Sequence, residues 1–99
     1  MSNERFVVEV GGINFCSTRQ TLSKSPCLKR LIECLSPESD YLFVDREGSS
    51  FVFILNFLRT KLIFQDLYDR SYVAFLIEEA KFYELQDLEE VLESILSGL

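Results

Sequence analysis

The 99 residues suffice for one hydrophobic core and not for two, and 47% hydrophobic with 13% aromatic content excludes a disordered chain. A formal charge of −6, with no histidine, excludes the basic footprint of a nucleic-acid binder and the polybasic segment that draws proteins to anionic lipid.

In chain order, the opening "MSNERFVVEV" carries early charges and no apolar signal core, so export is not expected. The runs 6–10 ("FVVEV") and 13–18 ("INFCST") are rich in β-formers and separated only by Gly11-Gly12. Two glycines supply the positive φ of a tight turn, so the spacing predicts a β-hairpin. Thr18 and Thr21 offer caps for a short helical turn. Ser25-Pro26 reads as an N-cap followed by proline at the first helical position, after which Leu28, Leu31, Ile32 and Leu35 recur at helical spacing. "SPESD" (Ser36 to Asp40) breaks that helix and forms a loop.

Tyr41 to Val44 is predicted as a short strand, and the chain turns helical from Ser49. Phe51, Ile54, Leu55 and Leu58 line one face, and Phe53 with Phe57 add a second apolar strip, so this helix is buried on more than one side. Glu47 stands where an N-cap or first-turn acid would favour the helix dipole. The apolar run Phe51 to Leu58 has eight residues, with Asn56 inside it, and is too short to cross a bilayer. "QDLYDRS" is a linker; 71–83 is predicted helical, with Val73, Leu76, Ile77 and Ala80 on its stripe. Asp87 reads as the N-cap of a last helix, paired with Glu90 in a capping-box-like arrangement, with Leu88, Val91, Leu92, Ile95 and Leu96 on its apolar side. Glu78-Glu79 and the later acids read as solvated helix faces. Hairpin, helices, one more strand and helices to the end make an α+β layout in a single domain, 1–99.

Asp45, Arg46 and Glu47 form a charged seam between strand and helix. Asp45 and Glu47 could be posed as a carboxylate pair, but there is no histidine base, no Gly-x-Ser-x-Gly elbow and no phosphate loop. An enzyme is therefore not expected, and no cofactor is implied. Cys16, Cys27 and Cys34 have no Cys-x-x-Cys spacing, so no metal site is expected and they read as small buried hydrophobes. Reduced thiols place the chain in the cytoplasm, or in the nucleus. Protein–protein contact remains. A helix start accounts for Glu47 but not for Asp45-Arg46, which come one step too early.

Three stretches together resemble the BTB/POZ fold: "VVEVGGINFCSTRQTL" (Val7 to Leu22), "YLFVDREGSSFVFILNFLRT" (Tyr41 to Thr60) and "EEAKFYELQDLEEVL" (Glu78 to Leu92). More closely they resemble its potassium-channel tetramerisation type, and the last stretch is similar to the KCTD adaptor branch. The resemblance implies a small three-stranded sheet packed against about five helices. Glu9 replaces a usual asparagine, Glu47-Gly48 replace an acid and proline, and "RTKL" lacks the usual glycine after Thr60.

The resemblance further implies an interaction module that rings up with itself as a homo-tetramer or homo-pentamer, one face of each subunit meeting a different face of its neighbour. Carried onto this sequence, Arg19, Asp45, Arg46 and Arg59 are its seam residues, with Glu9 as a variant partner. Adaptor relatives also hold cullin-3 of a ubiquitin ligase on the loop before the third strand, here Leu35, Pro37, Glu38, Asp40 and Tyr41. The alternative is the cytosolic tetramerisation domain of a voltage-gated potassium channel, or a purely structural assembly domain. On this reading Arg46 is a surface charge that contributes little to the fold.

Overall fold

Gly11 and Gly12, with φ of 56° and 93°, turn β1 (Arg5–Val10) into β2 (Ile13–Thr18) as an antiparallel hairpin in the computed structural model, which describes residues 4–99. A Cβ at Gly11 would collide with the Arg46 carbonyl, and one at Gly48 with the Val10 carbonyl. The hairpin turn and the seam after the third strand therefore pack backbone to backbone, which only glycine permits. That strand, β3 (Tyr41–Val44), lies parallel to β1 on its other side, giving the order β2-β1-β3.

Side chains alternate across this sheet. Phe6, Val8 and Val10 of β1 and Leu42 and Val44 of β3 point inward and are buried. The helices cover that inner face. Thr18 caps α1 (Arg19–Leu22) by accepting the Thr21 N–H at 3.1 Å. Ser25 caps α2 (Pro26–Glu33) as expected, accepting from Leu28 N–H, and its hydroxyl also donates to the Tyr83 carbonyl at 2.7 Å. The central element is α3 (Phe51–Thr60), whose Phe51, Phe53, Ile54, Leu55, Phe57 and Leu58 are all buried. Phe15, Phe51 and Tyr83 pack in series as tilted pairs, with ring centres 5.1 and 5.4 Å apart, and link the sheet to the C-terminal helices. The helices α4 (Arg70–Phe82) and α5 (Gln86–Ser97) close the core with Val73, Leu76, Ile77, Ala80, Leu88 and Leu92.

Four local expectations are corrected. Glu47 is not in the first turn of α3, which starts at Phe51 with Ser50 at its N-cap; Glu47 instead accepts the Ser49 hydroxyl at 2.6 Å. Asp87 is not the cap of α5. The helix begins two residues earlier, at Gln86 after Leu85, and Asp87 in its first turn accepts the Lys61 ammonium at 3.1 Å. The cause is the end of α4, where Glu84 takes φ of 59°, its N–H bonds the Lys81 carbonyl, and the Leu85 N–H bonds Ala80. This Schellman ending starts the next helix at once. Cys16 and Cys34 are exposed and only Cys27 is buried, because Cys16 falls on the outer sheet face and Cys34 caps α2. Finally, Leu31 and Val91 face solvent despite their helical spacing.

Candidate protein-interaction surface

The outer face of the sheet carries Arg5, Val7 and Glu9 from β1, Asn14, Cys16 and Thr18 from β2, and Tyr41 and Phe43 from β3. None of these is buried, so no helix covers them. Tyr41 and Phe43 are 45% and 53% exposed, which is high for strand aromatics and marks this face as the open one. Glu9 sits opposite Phe43 in register, and its carboxylate accepts the Tyr41 hydroxyl. That bond holds the Tyr41 phenol above its ordinary range. Glu9 and Tyr41, read from sequence as parts of two different surfaces, thus share one.

Asp45 follows directly at the end of β3, is exposed, and makes no hydrogen bond or ion pair among the described residues. Arg46 turns the other way. Its guanidinium pairs with Glu79 of α4 and lies 4.3 Å from the centre of the Phe82 ring. Glu79 is 2% exposed, so it is not the solvated acid expected, and Arg46 is part of the fold rather than a free seam charge. Arg46 Nε, Glu79 Oε1 and the Tyr83 hydroxyl lie buried around this pair without hydrogen-bond partners among the described residues. Burial first, and Glu79 second, push the Tyr83 phenol well above the usual tyrosine range.

Arg19 is also engaged within the chain. It donates to the carbonyls of Pro37, at 3.3 Å, and Ser39, while its guanidinium sits 5.0 Å over the Phe6 ring. It therefore ties α1 to the loop that precedes β3. In that loop Leu35 is half-buried against the core, while Pro37, Glu38 and Asp40 are exposed. The Ser36 hydroxyl, at 2.7 Å, holds the Glu38 carboxyl below the ordinary carboxylate range. The Asp40 carbonyl accepts the Val7 N–H at 2.8 Å and starts the β1–β3 ladder. Arg59, at the end of α3, reaches β2 by donating to the Cys16 carbonyl at 3.1 Å.

The structure thus brings Glu9, Tyr41 and Asp45 to one face, Arg19 to the loop, and half-buried Arg46 to Glu79 of α4. Val7 and Phe43 belong to the open face and were not among the expected residues. The signal for Phe43 was present: "YLFV" is apolar at all four positions, where a strand covered on one side alternates. Among the described residues no cluster of three or more His, Cys, Asp or Glu could hold a metal, and no helix is long and apolar enough to cross a membrane.

Residues 6–94 match the family model of the BTB/POZ domain. The chain belongs to the BTB/POZ family. It is of the potassium-channel tetramerisation type, and the fold implied by the resemblance is the one observed. BTB/POZ domain-containing protein KCTD3 of Homo sapiens is 39% identical over 93 residues, covering 88% of this chain and 11% of that protein. Potassium channel regulatory protein of Homo sapiens is 35% identical over 101 residues, covering 96% of this chain and 37% of that protein. SH3KBP1-binding protein 1 of Bos taurus is 39% identical over 88 residues, covering 82% and 12% respectively. The BTB/POZ chain spans well under half the length of these curated relatives. This BTB/POZ domain is a protein-interaction and oligomerisation module.

Proposed function

We propose that this BTB/POZ domain assembles side by side with copies of itself into a ring of four or five and, as a ring, serves as an adaptor for a cullin-3 ubiquitin ligase. The observation that carries the assembly reading is the uncovered outer sheet face, with Tyr41 and Phe43 around Glu9 and the unpaired Asp45 at its end. In the proposed interface Glu9, Asp45 and Arg59 make the contacts that set register, with Phe43 supplying apolar area. Arg19 and Arg46 support that surface from behind, one through the loop and the other through Glu79. The exposed Pro37, Glu38 and Asp40, beside Leu35 and Tyr41, form the proposed cullin-3 contact.

Light scattering tests the assembly. Wild-type protein gives four or five times the monomer mass of 11.5 kDa, and Phe43→Asp or Asp45→Arg lowers it with the fold retained. A monomer at about 100 μM overturns the ring. Calorimetry with the cullin-3 N-terminal domain tests the adaptor role. Binding that Glu38→Lys weakens supports it, and no heat at tens of micromolar leaves an assembly domain alone. That second reading, assembly without a ligase, is favoured by the likeness over 96% of the chain to a potassium channel regulatory protein.

A further inference from the structure

Proline occurs twice in the chain, each time directly after a serine: Ser25-Pro26 and Ser36-Pro37. The structure treats the two dipeptides in opposite ways. Ser25 is fully buried and its hydroxyl is used twice, accepting the Leu28 N–H at 3.1 Å and donating to the Tyr83 carbonyl at 2.7 Å. Pro26 is fixed in the first turn of α2. Ser36 is exposed in the loop between α2 and β3. Its hydroxyl makes one bond among the described residues, to the Glu38 carboxylate beside it.

The loop is held by its backbone rather than by that hydroxyl. The Ser36 carbonyl accepts the Ser39 N–H at 2.9 Å across a turn with Pro37 at its second position. Arg19 donates to the Pro37 and Ser39 carbonyls, and the Asp40 carbonyl accepts the Val7 N–H at 2.8 Å. A group added to Ser36 Oγ therefore breaks only the exposed bond to Glu38. The same group on Ser25 would uncap α2 and put a charge into the core. Pro37 also shapes what an enzyme would meet. It biases Ser36 towards extended backbone and has no N–H to be left unpaired in an enzyme cleft.

We infer that Ser36 is a phosphorylation site, modified by a kinase whose cleft takes proline directly after the acceptor, and that the phosphate switches the surface of the loop before β3. In the reaction Ser36 Oγ bonds to the γ-phosphorus of ATP, the bond from that phosphorus to the β–γ bridging oxygen breaks, and ADP leaves. The hydroxyl proton passes to the carboxylate base of the kinase. The product carries about 1.5 to 2 negative charges at a position where a hydroxyl had donated to Glu38. It repels Glu38, and it must lose water when a partner covers the neighbouring Leu35 and Tyr41, so it opposes docking on this loop. The consequence for a partner rests on the cullin-3 reading proposed above; the site itself does not.

The test incubates the folded full chain with a purified proline-directed kinase, magnesium and ATP, and locates phosphate by mass spectrometry. One phosphate is expected, on Ser36, and none in Ser36→Ala, a replacement at an exposed position. In the modified chain the Glu38 carboxyl, followed by NMR, is expected to titrate at higher pH than before, because it loses its hydroxyl donor and gains a like charge beside it. Binding to the cullin-3 N-terminal domain, measured by calorimetry, is expected to weaken at least about tenfold. The inference is overturned if the folded chain takes no phosphate on Ser36, if Ser25 is modified as readily, or if the Glu38 titration stays where it was. An affinity for cullin-3 that phosphate leaves unchanged overturns the switch. If the unmodified chain gives no heat with cullin-3, the ligase reading fails, while the phosphate position and the Glu38 titration still decide the site.

Discussion

Arg46 gives its guanidinium to Glu79, 33 residues further along the chain, and the ring of Phe82 lies against the same group. The pair links the seam after β3 to α4. Removing only the arginine leaves a nearly buried carboxylate without its counter-charge. Arg46→Ala is therefore expected to destabilise the fold by about 3 kcal/mol, the lower end for a broken buried pair because the arginine side chain is 31% exposed. The double replacement Arg46→Met with Glu79→Leu is expected to recover most of that loss. Urea denaturation of the two variants checks both values.

The buried, unpartnered hydroxyl of Tyr83 sets a pH dependence. In the unfolded chain a tyrosine ionises near about 10, whereas in the fold burial holds Tyr83 protonated to higher pH. Above about pH 10 the unfolded state binds fewer protons than the folded one, so stability falls as pH rises, by up to about 1.4 kcal/mol per pH unit. Below that pH this group contributes no slope. Tyr83→Phe is expected to flatten the alkaline decline, leaving the part due to Tyr41, and to change stability at neutral pH by less than about 1 kcal/mol. Urea midpoints at pH 7 and above pH 10 make the comparison.

The two hairpin glycines differ in what surrounds them. Alanine at either must adopt a positive φ, at about 1–2 kcal/mol. At Gly12 nothing lies within 4 Å of the added carbon, but at Gly11 it strikes the Arg46 carbonyl. Gly11→Ala is expected to cost about 1–3 kcal/mol more than Gly12→Ala, since backbone has to move. Thermal unfolding of the two variants gives the order.

Ser25 and Thr18 both cap helices, but the Thr18 hydroxyl donates only to its helix neighbour Thr21, at 3.1 Å, whereas Ser25 reaches a distant element. Its hydroxyl also satisfies the buried end of α4 at the Tyr83 carbonyl. Thr18→Ala is expected to cost about 1 kcal/mol, and Ser25→Ala about 2–3 kcal/mol because the carbonyl is left unpaired as well. The difference is read from chemical denaturation at neutral pH.

Features written in neighbouring residues were legible in the sequence. Gly11-Gly12 announced the hairpin and Ser25-Pro26 the start of α2, since each acts through its own backbone geometry. The start of α5 was misplaced because Glu84 takes the left-handed position where glycine is the usual signal. Lys61 does the same after α3, with φ of 63°. At the candidate site, Asp45 could be singled out because folding has no use for it. Arg46 was read with it as a surface seam charge, because its partner is distant in sequence and Glu79 looks like any helix-surface acid. The orientation of Glu79 toward the core is a property of how α4 packs, not of the residues beside it.

The parallel pairing of β3 with β1 has a kinetic side. The hairpin and the α4–α5 pair join segments that are neighbours in sequence, whereas β3 reaches β1 only after the chain between Val10 and Tyr41 has folded back. The entropy of closing that loop is spent before the pairing returns anything, so β3 is expected to dock late. With it come Tyr41, Phe43 and Asp45 of the open face. A chain still waiting for β3 has no finished surface to offer a neighbour, so on this order of events assembly follows folding and screens out incompletely folded chains.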